Sequence, residues 1–404
     1  MFENNPANII KPIIDSQEQA KREEEKRNGF PSQKLGDMED KVRELFCGSL
    51  SQSEAYSLLV TLFARNLELK KPTLVFKEYA ENRLLEPSNV NPRDTLLLNS
   101  LLVSTLDPSV ELVDTSPIVP SGAVSAVNKI DPKTILQTIK GAELISDTSI
   151  ALALEAALRR SKTDLKRNRG ILSLASTQRE LRLQQFANPD FSPHYGSFTL
   201  VSASRDVGRF DFEKEAMFKH LDFFIRSLEA LKEKDDYDID DITVEISDIS
   251  IVEKLVEVGL LKRELVTASL RSKYGPIDIF ESAGVALPKR AETLSDFILS
   301  EGLSFLNVPI QVLKKFEKEY LSKLKVSYPD VTFVLRLDRS AGIGYFDSLC
   351  YKIRAKNSKG EIVPLVDGGA SDWTAKFLSD SSERFFGSGL GSDVLIKKFN
   401  KKYE

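Results

Sequence analysis

The sequence predicts an α+β protein built from an antiparallel sheet flanked by helices, with a helical insertion. Three observations support this prediction. Residues 345–355 and 361–366 are rich in apolar and aromatic side chains and flank the turn-forming residues 357–360, which is the pattern of a β-hairpin and hence of antiparallel strands. A strand pattern at 196–204 leads into a helix with an apolar stripe. Residues 252–324 are charged and mostly helical in pattern.

Composition and helix-breaking residues divide the chain into five segments. Residues 1–38 are polar and include a charged run followed by Gly29 and Pro31, so we predict a mobile leader. Residues 39–90 have apolar positions three and four apart, which indicates a helical N-terminal element. The core is then expected in two parts, 91–250 and 326–404, on either side of the insertion at 251–325.

The first part of the core should open with a helix and a short extended region. Asn91 followed by Pro92 is a helix-start signal. Leucines that include Leu96 and Leu97 occupy most faces of this helix, so we expect it to be buried. Residues 110–113 have a strand pattern. The prolines at 117 and 120 confine the next segment to a loop or an edge strand, because proline cannot donate to a central ladder.

Capping residues and glycines mark the later elements. Ser146, Asp147 and Thr148 supply cap chemistry for an alanine- and leucine-rich helix ending near residue 160. A turn at 205–209 precedes a helix whose first turn is acidic, as the helix dipole favours. Beyond the hairpin, Gly368 and Gly369 are expected to open a loop. Three further glycines, at 387, 389 and 391, should precede a short apolar segment.

The composition argues against several classes of site and partner. Cys47 and Cys350 have no metal-ligand spacing, so we predict neither a zinc site nor a disulfide framework. Two histidines make a histidine-centred triad or metal site improbable. A net charge of -4 disfavours a nucleic-acid partner. No apolar run approaches membrane-spanning length, so we expect a cytoplasmic protein without a membrane partner.

Three segments resemble the catalytic core of class II aminoacyl-tRNA synthetases, and most closely the histidyl branch. Residues 342–347 (GIGYFD) are similar to the Gly-Leu-Asp-Tyr-Tyr segment that lines the histidine pocket in that family. Residues 367–372 (DGGASD) resemble its Gly-Gly-Arg-Tyr-Asp segment, and residues 387–395 (GSGLGSDVL) resemble motif 3. The resemblance extends over about residues 96–396 and implies a class II synthetase-like core.

The arginines that handle ATP in that family are missing from the matching segments. Ala341 stands where the family has an arginine before the pocket glycine, and Val394 stands where motif 3 has its arginine. Residues 185–189, the nearest match to motif 2, contain neither its arginine nor its glutamate. A branched apolar side chain cannot replace a permanently charged planar donor. The family's anticodon-binding domain is also expected to be absent, because the chain ends shortly after motif 3.

The resemblance implies a small-molecule site. The pocket segments contribute Tyr345, Asp347, Gly368, Gly369 and Asp372. The strand end beside them contributes a cluster that could bind a polar or anionic ligand: Ser202, Ser204, Arg205 and Asp206. Glu143 and Asp147 lie in the region where the family keeps an acid for the ligand's amino group.

Each of these residues also has a purely structural interpretation. Asp147 can be a helix cap, and Glu143 a solvated carboxylate. The pair Arg205 and Asp206 can form a turn held by its own side chains. Tyr345 can be a core tyrosine, and the glycines can serve only positive φ angles or close packing.

Our favoured hypothesis is a histidyl-tRNA synthetase-like paralog that binds a small polar ligand in a ligand-binding or regulatory role, with a possible protein-complex partner. Regulatory subunits of the first enzyme of histidine biosynthesis share this scaffold without aminoacylation. Pro117 or Pro120 matches the motif 1 proline, which implies a homodimer. The alternative is an enzyme that activates or transfers a non-standard carboxylate with ATP, using Arg205, Arg384 or lysines of the insertion. A structural or nucleic-acid-associated role is a third hypothesis. The sequence identifies no cofactor.

Overall fold

The computed structural model describes residues 40–68, 70–128, 130–163, 169–183, 192–271 and 277–403. Two compact units are present. The first takes in the described residues before Tyr79 together with Ile139–Gly141 and Gly259–Ala286. The second takes in Tyr79–Thr138, Ala142–Val258 and Leu287–Glu404, and it contains every strand described below.

The helices, in chain order, begin and end as follows: α1 Gln52–Glu68, α2 Pro72–Glu81, α3 Pro92–Thr105, α4 Ala123–Val127, α5 Thr148–Ser161, α6 Asp211–Lys232, α7 Ser250–Glu257, α8 Arg263–Arg271, α9 Ile279–Ala283, α10 Asn307–Phe316, α11 Ser322–Ser327, α12 Trp373–Leu378 and α13 Ser392–Phe399. The strands are β1 Glu111–Leu112, β2 Ile118–Pro120, β3 Ala142–Leu144, β4 Leu172–Leu181, β5 His194–Arg205, β6 Asp240–Asp248, β7 Arg290–Ala291, β8 Thr332–Arg336, β9 Leu349–Lys356, β10 Ile362–Ser371 and β11 Glu383–Gly391.

Nine of these strands form one sheet in the order β1-β4-β5-β11-β10-β9-β6-β8-β7. All neighbours from β4 to β6 pair antiparallel, as does β7 with β8, which confirms the predicted antiparallel core. Two parallel pairs, β1 with β4 and β6 with β8, lie toward the two ends of the sheet. The proline-bearing strand β2 pairs only with β3, in a separate two-stranded sheet, where its prolines interrupt no central ladder.

The two faces of the sheet are covered by different helices. Side chains alternate along a strand, so Ser202 and its even-numbered neighbours on β5 face α6, whose His220 bonds to Ser202. Val201 and Ala203 face the other way, into a core shared with α5 and Trp373 of α12. Burying each large apolar side chain in such a core contributes about 1.5–3 kcal/mol.

The predicted caps and turns explain where the elements start. The Asn91 side chain accepts a hydrogen bond from the Arg93 amide at 3.0 Å and caps α3, with Pro92 in its first turn. The Asp147 side chain accepts from the Ser149 amide at 2.9 Å and caps α5. Both helix starts therefore follow the sequence signals.

Two local expectations were wrong. Helix α3 is not buried on most faces, because Leu96 is 68% exposed and Leu97 is 69% exposed. Gly368 and Gly369 do not open a loop but lie within β10. A Cβ atom on Gly369 would lie 2.6 Å from the Phe346 ring, so the glycine is required by close packing. The glycine-rich run 387–391 ends β11 and precedes α13, which contains the expected short apolar segment.

Candidate functional site

A cleft of about 370 Å³ opens on the α5 face of the sheet. This volume is within the range of small-molecule sites. Its walls come from the start of α5, the end of β4, the first half of β5, the loop before β9, and β10. The residues that line the cleft include Asp147, Ser149, Glu180, Arg182, Tyr195, Ser197, Thr199, Tyr345, Phe346, Asp367, Gly387, Gly389 and Gly391.

Glycines form the floor of the cleft. Residues 387, 389 and 391 alternate along β11, so all three face the same side of the sheet as Thr199 and Ser197 of the paired strand β5. A Cβ atom on Gly389 would meet no heavy atom within 4 Å. The space above Gly389 is therefore open because this strand position has no side chain.

Asp147 is held at one wall by two hydrogen bonds. Its Oδ1 accepts from the Ser149 amide at 2.9 Å, and its Oδ2 accepts from the Tyr345 hydroxyl at 2.5 Å. Burial, followed by the charge of Asp147, raises the pKa of Tyr345 well above its ordinary value, so the phenol stays a neutral donor. A carboxylate offers about four lone-pair positions, so Asp147 retains capacity for a ligand donor.

Glu180 is the second fixed carboxylate of the cleft. Its Oε1 accepts from the Thr148 amide at 3.0 Å and from the Ser197 hydroxyl at 2.8 Å. Its Oε2 accepts from the Tyr195 hydroxyl at 2.8 Å. Burial first, and then the Glu180 charge, raise the pKa of Tyr195 well above its ordinary value. Glu180 is therefore preorganised by neutral donors.

Arg182 supplies a positive charge to the same cleft. Its Nε donates to the Ser146 carbonyl at 2.8 Å, its Nη2 lies 3.5 Å from Glu180 Oε2, and its guanidinium stands 5.6 Å from the Tyr195 ring centre. Burial alone would lower the pKa of Arg182, but Tyr195, Glu180 and Asp147 together raise it above its ordinary value. Arg182 is the one cation among the described residues that line the cleft.

The rim of the cleft carries a third carboxylate, Asp367. Arg339 donates from Nη2 to Asp367 Oδ1 at 2.5 Å, and Lys352 lies 3.3 Å from Asp367 Oδ2. The Arg339 guanidinium also bonds the Ala341 carbonyl and stands 5.5 Å from the centre of the Phe346 ring. Arg339 and Lys352 therefore offset the charge of Asp367. The remaining charged groups of the cleft lining are Asp147, Glu180 and Arg182.

The structure brings only Asp147 and Tyr345 of the predicted site residues into the cleft. The Glu143 carboxylate is buried and accepts from the Gly122 and Val124 amides at 2.8 and 3.1 Å. Gly368 lies in β10 against Tyr351 and Ser388, and Gly369 lies against Phe346.

The predicted strand-end cluster lies outside the cleft. The Ser202 hydroxyl is hydrogen-bonded to His220 at 3.0 Å on the α6 face, where burial lowers the pKa of this imidazole to about 3. Ser204 donates to the Arg169 and Gly170 carbonyls. Arg205 pairs with Asp380 at 2.9 Å.

Three further predicted residues gather at a different place. Asp206 pairs with Arg384 at 2.8 Å. Asp347 and Asp372 line two other cavities of the molecule. Neither Arg205 nor Arg384, the replacement phosphate ligands of the alternative hypothesis, is among the described residues that line the cleft.

Several cleft residues were missed from sequence. Glu180, Arg182, Tyr195, Ser197 and Thr199 come from the end of β4 and from β5. The resemblance puts the motif 2 counterpart at residues 185–189, which lie outside the described residues. An arginine and a glutamate do occur just before it, at 179 and 180. The available signal for these residues was polar alternation along β5, which puts Tyr195, Ser197 and Thr199 on one face of the strand.

Two features are absent from the part of the chain that the structure describes: a metal-ligand group and a membrane-spanning helix. Within it, no group of three or more His, Cys, Asp or Glu side chains could hold a metal ion. Each described helix is too short or too polar to cross a membrane.

Comparisons with known proteins identify the fold. No protein-family model and no curated protein sequence matches the chain. Among solved structures, an ATP phosphoribosyltransferase regulatory subunit/histidyl-tRNA synthetase from Bacillus halodurans C matches with a TM-score of 0.55 at 14% identity, covering 77% of this chain and 81% of that one.

Two further structures agree. A histidine–tRNA ligase subunit from Alicyclobacillus acidocaldarius matches with a TM-score of 0.56 at 13% identity, over 77% of this chain and 94% of the other. The histidyl-tRNA synthetase from Nostoc sp. PCC 7120 matches with a TM-score of 0.54 at 13% identity, over 77% and 73%. The chain therefore has the class II synthetase-like core of the histidyl-tRNA synthetase-like proteins, as the resemblance of its sequence predicted.

Proposed function

We propose that this chain is a histidyl-tRNA synthetase-like paralog that binds a small zwitterion, an amino acid or a close analogue, in a ligand-binding or regulatory role in the cytoplasm. The observation that carries the proposal is the arrangement of Asp147, Glu180 and Arg182 around a floor of glycines. The similarity to a protein described as a regulatory subunit supports the same role.

The charges of the cleft suit a ligand that carries both signs. Asp147 and Glu180 are both fixed by neutral donors, so a ligand ammonium group would complete their hydrogen bonding and offset their charge. The guanidinium of Arg182 has five N–H donors, and the contacts to Ser146 and Glu180 leave donors for a ligand carboxylate. A zwitterion would therefore be held at both ends.

The uncharged residues of the lining suit the remaining part of a small polar ligand. Ser149, Ser197 and Thr199 provide hydroxyl groups, and Tyr345 and Phe346 provide an aromatic wall. Such a combination of a few placed polar groups with apolar surface is typical of small-molecule sites.

The alternative, ATP-dependent activation of a carboxylate, has less support. In-line phosphoryl chemistry needs several cations around the phosphates. Arg182 is a single cation, and Arg205 and Arg384 pair with Asp380 and Asp206 outside the lining of the cleft. We therefore propose that the ATP-binding arginines of the family are not replaced here.

Calorimetric titration with free amino acids, followed by des-amino and des-carboxy analogues of any binder, tests the proposal. In the wild-type protein, loss of either charged group should weaken binding at least about tenfold, since each makes a charge-assisted bond. In Arg182→Gln, the zwitterion and its des-carboxy analogue should bind almost equally.

The matched control is Arg179→Gln, which removes a neighbouring guanidinium that pairs with Asp393 and does not line the cleft. This control should keep the wild-type preference for the zwitterion. Equal binding of zwitterion and analogues by the wild-type protein would refute the proposed orientation. Failure of every amino acid to bind would refute the proposed function.

We further propose a homodimer that buries the exposed face of α3. Leu96 and Leu97 are exposed there, and large exposed apolar patches mark interaction surfaces. Pro117 or Pro120, which follows α3 in the chain, matches the motif 1 proline that lies at the dimer interface of the family.

Sedimentation velocity tests the dimer. We expect a dimer at micromolar concentration, and Leu97→Asp should convert it to monomer because a carboxylate would be buried without a partner. Leu158→Asp, at a leucine of α5 that is 50% exposed, should leave the dimer intact. A wild-type protein that sediments only as monomer would contradict the proposal.

A further inference from the structure

A second group of acidic side chains lies behind the aromatic wall of the cleft. Two cavities, of about 300 and 350 Å³, share Asp347 and Asp372 in their linings. The larger one is also lined by Tyr345 and Phe346, the same residues that line the cleft. The larger cavity therefore adjoins the cleft wall, and the smaller cavity adjoins the larger one.

The smaller cavity contains polar atoms without partners. Glu213 is 4% exposed, and its Oε2 has no hydrogen-bond partner in the described structure. Ser371 is 5% exposed, and its hydroxyl likewise lacks a partner among the described residues. Both residues line the cavity. Buried polar atoms are rarely left unpaired, and such atoms in a cavity indicate a missing partner.

The charge around this cavity is negative. Asp347 accepts from the Ser348 hydroxyl at 3.1 Å and has no ion pair among the described residues. Asp372 is paired at 2.9 Å with Lys376, which lines the larger cavity. The one cation in its lining, Arg384, is already paired with Asp206 at 2.8 Å and with Glu213 at 3.1 Å. Burial raises the pKa of Glu213 to about 7. Desolvation of the carboxylate, followed by the charge of Asp372, raises the pKa of Asp347, although Asp347 as a whole residue is exposed. A bound cation would lower both pKa values, because it stabilises the charged form of each carboxylate.

The lining also decides which cation fits. No group of three or more described His, Cys, Asp or Glu side chains could hold a metal ion, so the carboxylates here do not form such a ligand set. Phe210 and Phe385 stand in the lining of the smaller cavity beside the carboxylates. Aromatic faces attract ammonium groups and pack against methylene stems.

We infer that these adjoining cavities form a second ligand site, which takes a protonated alkylamine on Glu213, Asp347 and Ser371. The amine would come either from a free di- or polyamine or from a lysine side chain of a protein partner. This site is distinct from the cleft and does not depend on the function proposed for the cleft.

The test is a calorimetric titration of the full chain at 150 mM salt with two probes. The first is 1,5-diaminopentane, and the second is a short lysine-containing peptide, with its lysine-acetylated form for comparison. We expect saturable binding of at least one probe, with no binding of the acetylated peptide. Binding of the diamine supports a free amine as ligand, and binding of the peptide alone supports a lysine side chain.

Asp347→Asn should weaken that binding at least about tenfold, because Asp347 is the carboxylate that has no ion-pair partner among the described residues. Circular dichroism establishes that this isosteric variant is folded. Asp330→Asn changes the net charge equally at an exposed turn and should alter the affinity less than twofold. The inference is overturned if neither probe saturates, if the acetylated peptide binds equally, or if the two variants have the same affinity.

Discussion

Replacing Arg160 with methionine is expected to lower the free energy of unfolding by about 3–5 kcal/mol. Arg160 is 2% exposed and forms a two-bond ion pair with Glu383, which is fully buried. The pair joins the end of α5 to the start of β11, the strand that forms the cleft floor. Removing the guanidinium leaves a buried carboxylate whose remaining ion-pair partner among the described residues is Arg205, at 3.9 Å.

Arg159→Met is the matched control for this prediction. Arg159 precedes Arg160 on the same helix and pairs with Glu155 and Glu111 at a partly exposed position. Exposed pairs contribute about 0–1 kcal/mol, so its loss should be small. Urea denaturation measures both variants. A difference of less than about 1 kcal/mol between them would show that the buried pair does not hold α5 to the sheet.

The second large effect is expected at the floor of the cleft. Gly389→Val should abolish ligand binding, lowering the affinity at least about 100-fold, while the protein remains folded. A side chain at this position enters open space, because an added Cβ meets no heavy atom within 4 Å. Valine also favours the strand conformation of β11, so folding should not suffer. The side chain would occupy the volume that a ligand needs.

Gly302→Val provides the control. Gly302 lies in the 3₁₀ turn Glu301–Leu306, and a Cβ there also meets no heavy atom within 4 Å, but the residue does not line the cleft. This variant should bind like the wild-type protein in the same titration. Unchanged binding by a folded Gly389→Val protein would place the ligand site elsewhere.

The fold could be predicted from the sequence because its local signals agree with the tertiary structure. Asn91 and Asp147 each cap a helix in the structure as their cap chemistry predicted. The turn at 357–360 joins β9 and β10 as an antiparallel hairpin. These features depend on neighbouring residues, which a single sequence displays directly.

The site was harder to predict because strand register decides which side chains face it. Ser202 faces α6, whereas Thr199 faces the cleft, and a shift of one position exchanges the two faces. Glu180 and Arg182 lie at the end of a polar strand that has no clear apolar alternation. Gly368 and Gly369 of β10 were assigned to a loop because glycine usually interrupts strands.

We propose that the synthetase-like core of this chain binds a ligand without activating it, and ATP–pyrophosphate exchange is the decisive assay. The assay should be run with amino and organic acids at concentrations that saturate the cleft in a parallel titration. We predict no ATP-dependent exchange with any acid, because Arg182 is the one cation among the described residues lining the cleft. Exchange that depends on any one acid and is lost in Gly389→Val would contradict this claim and establish an activating enzyme.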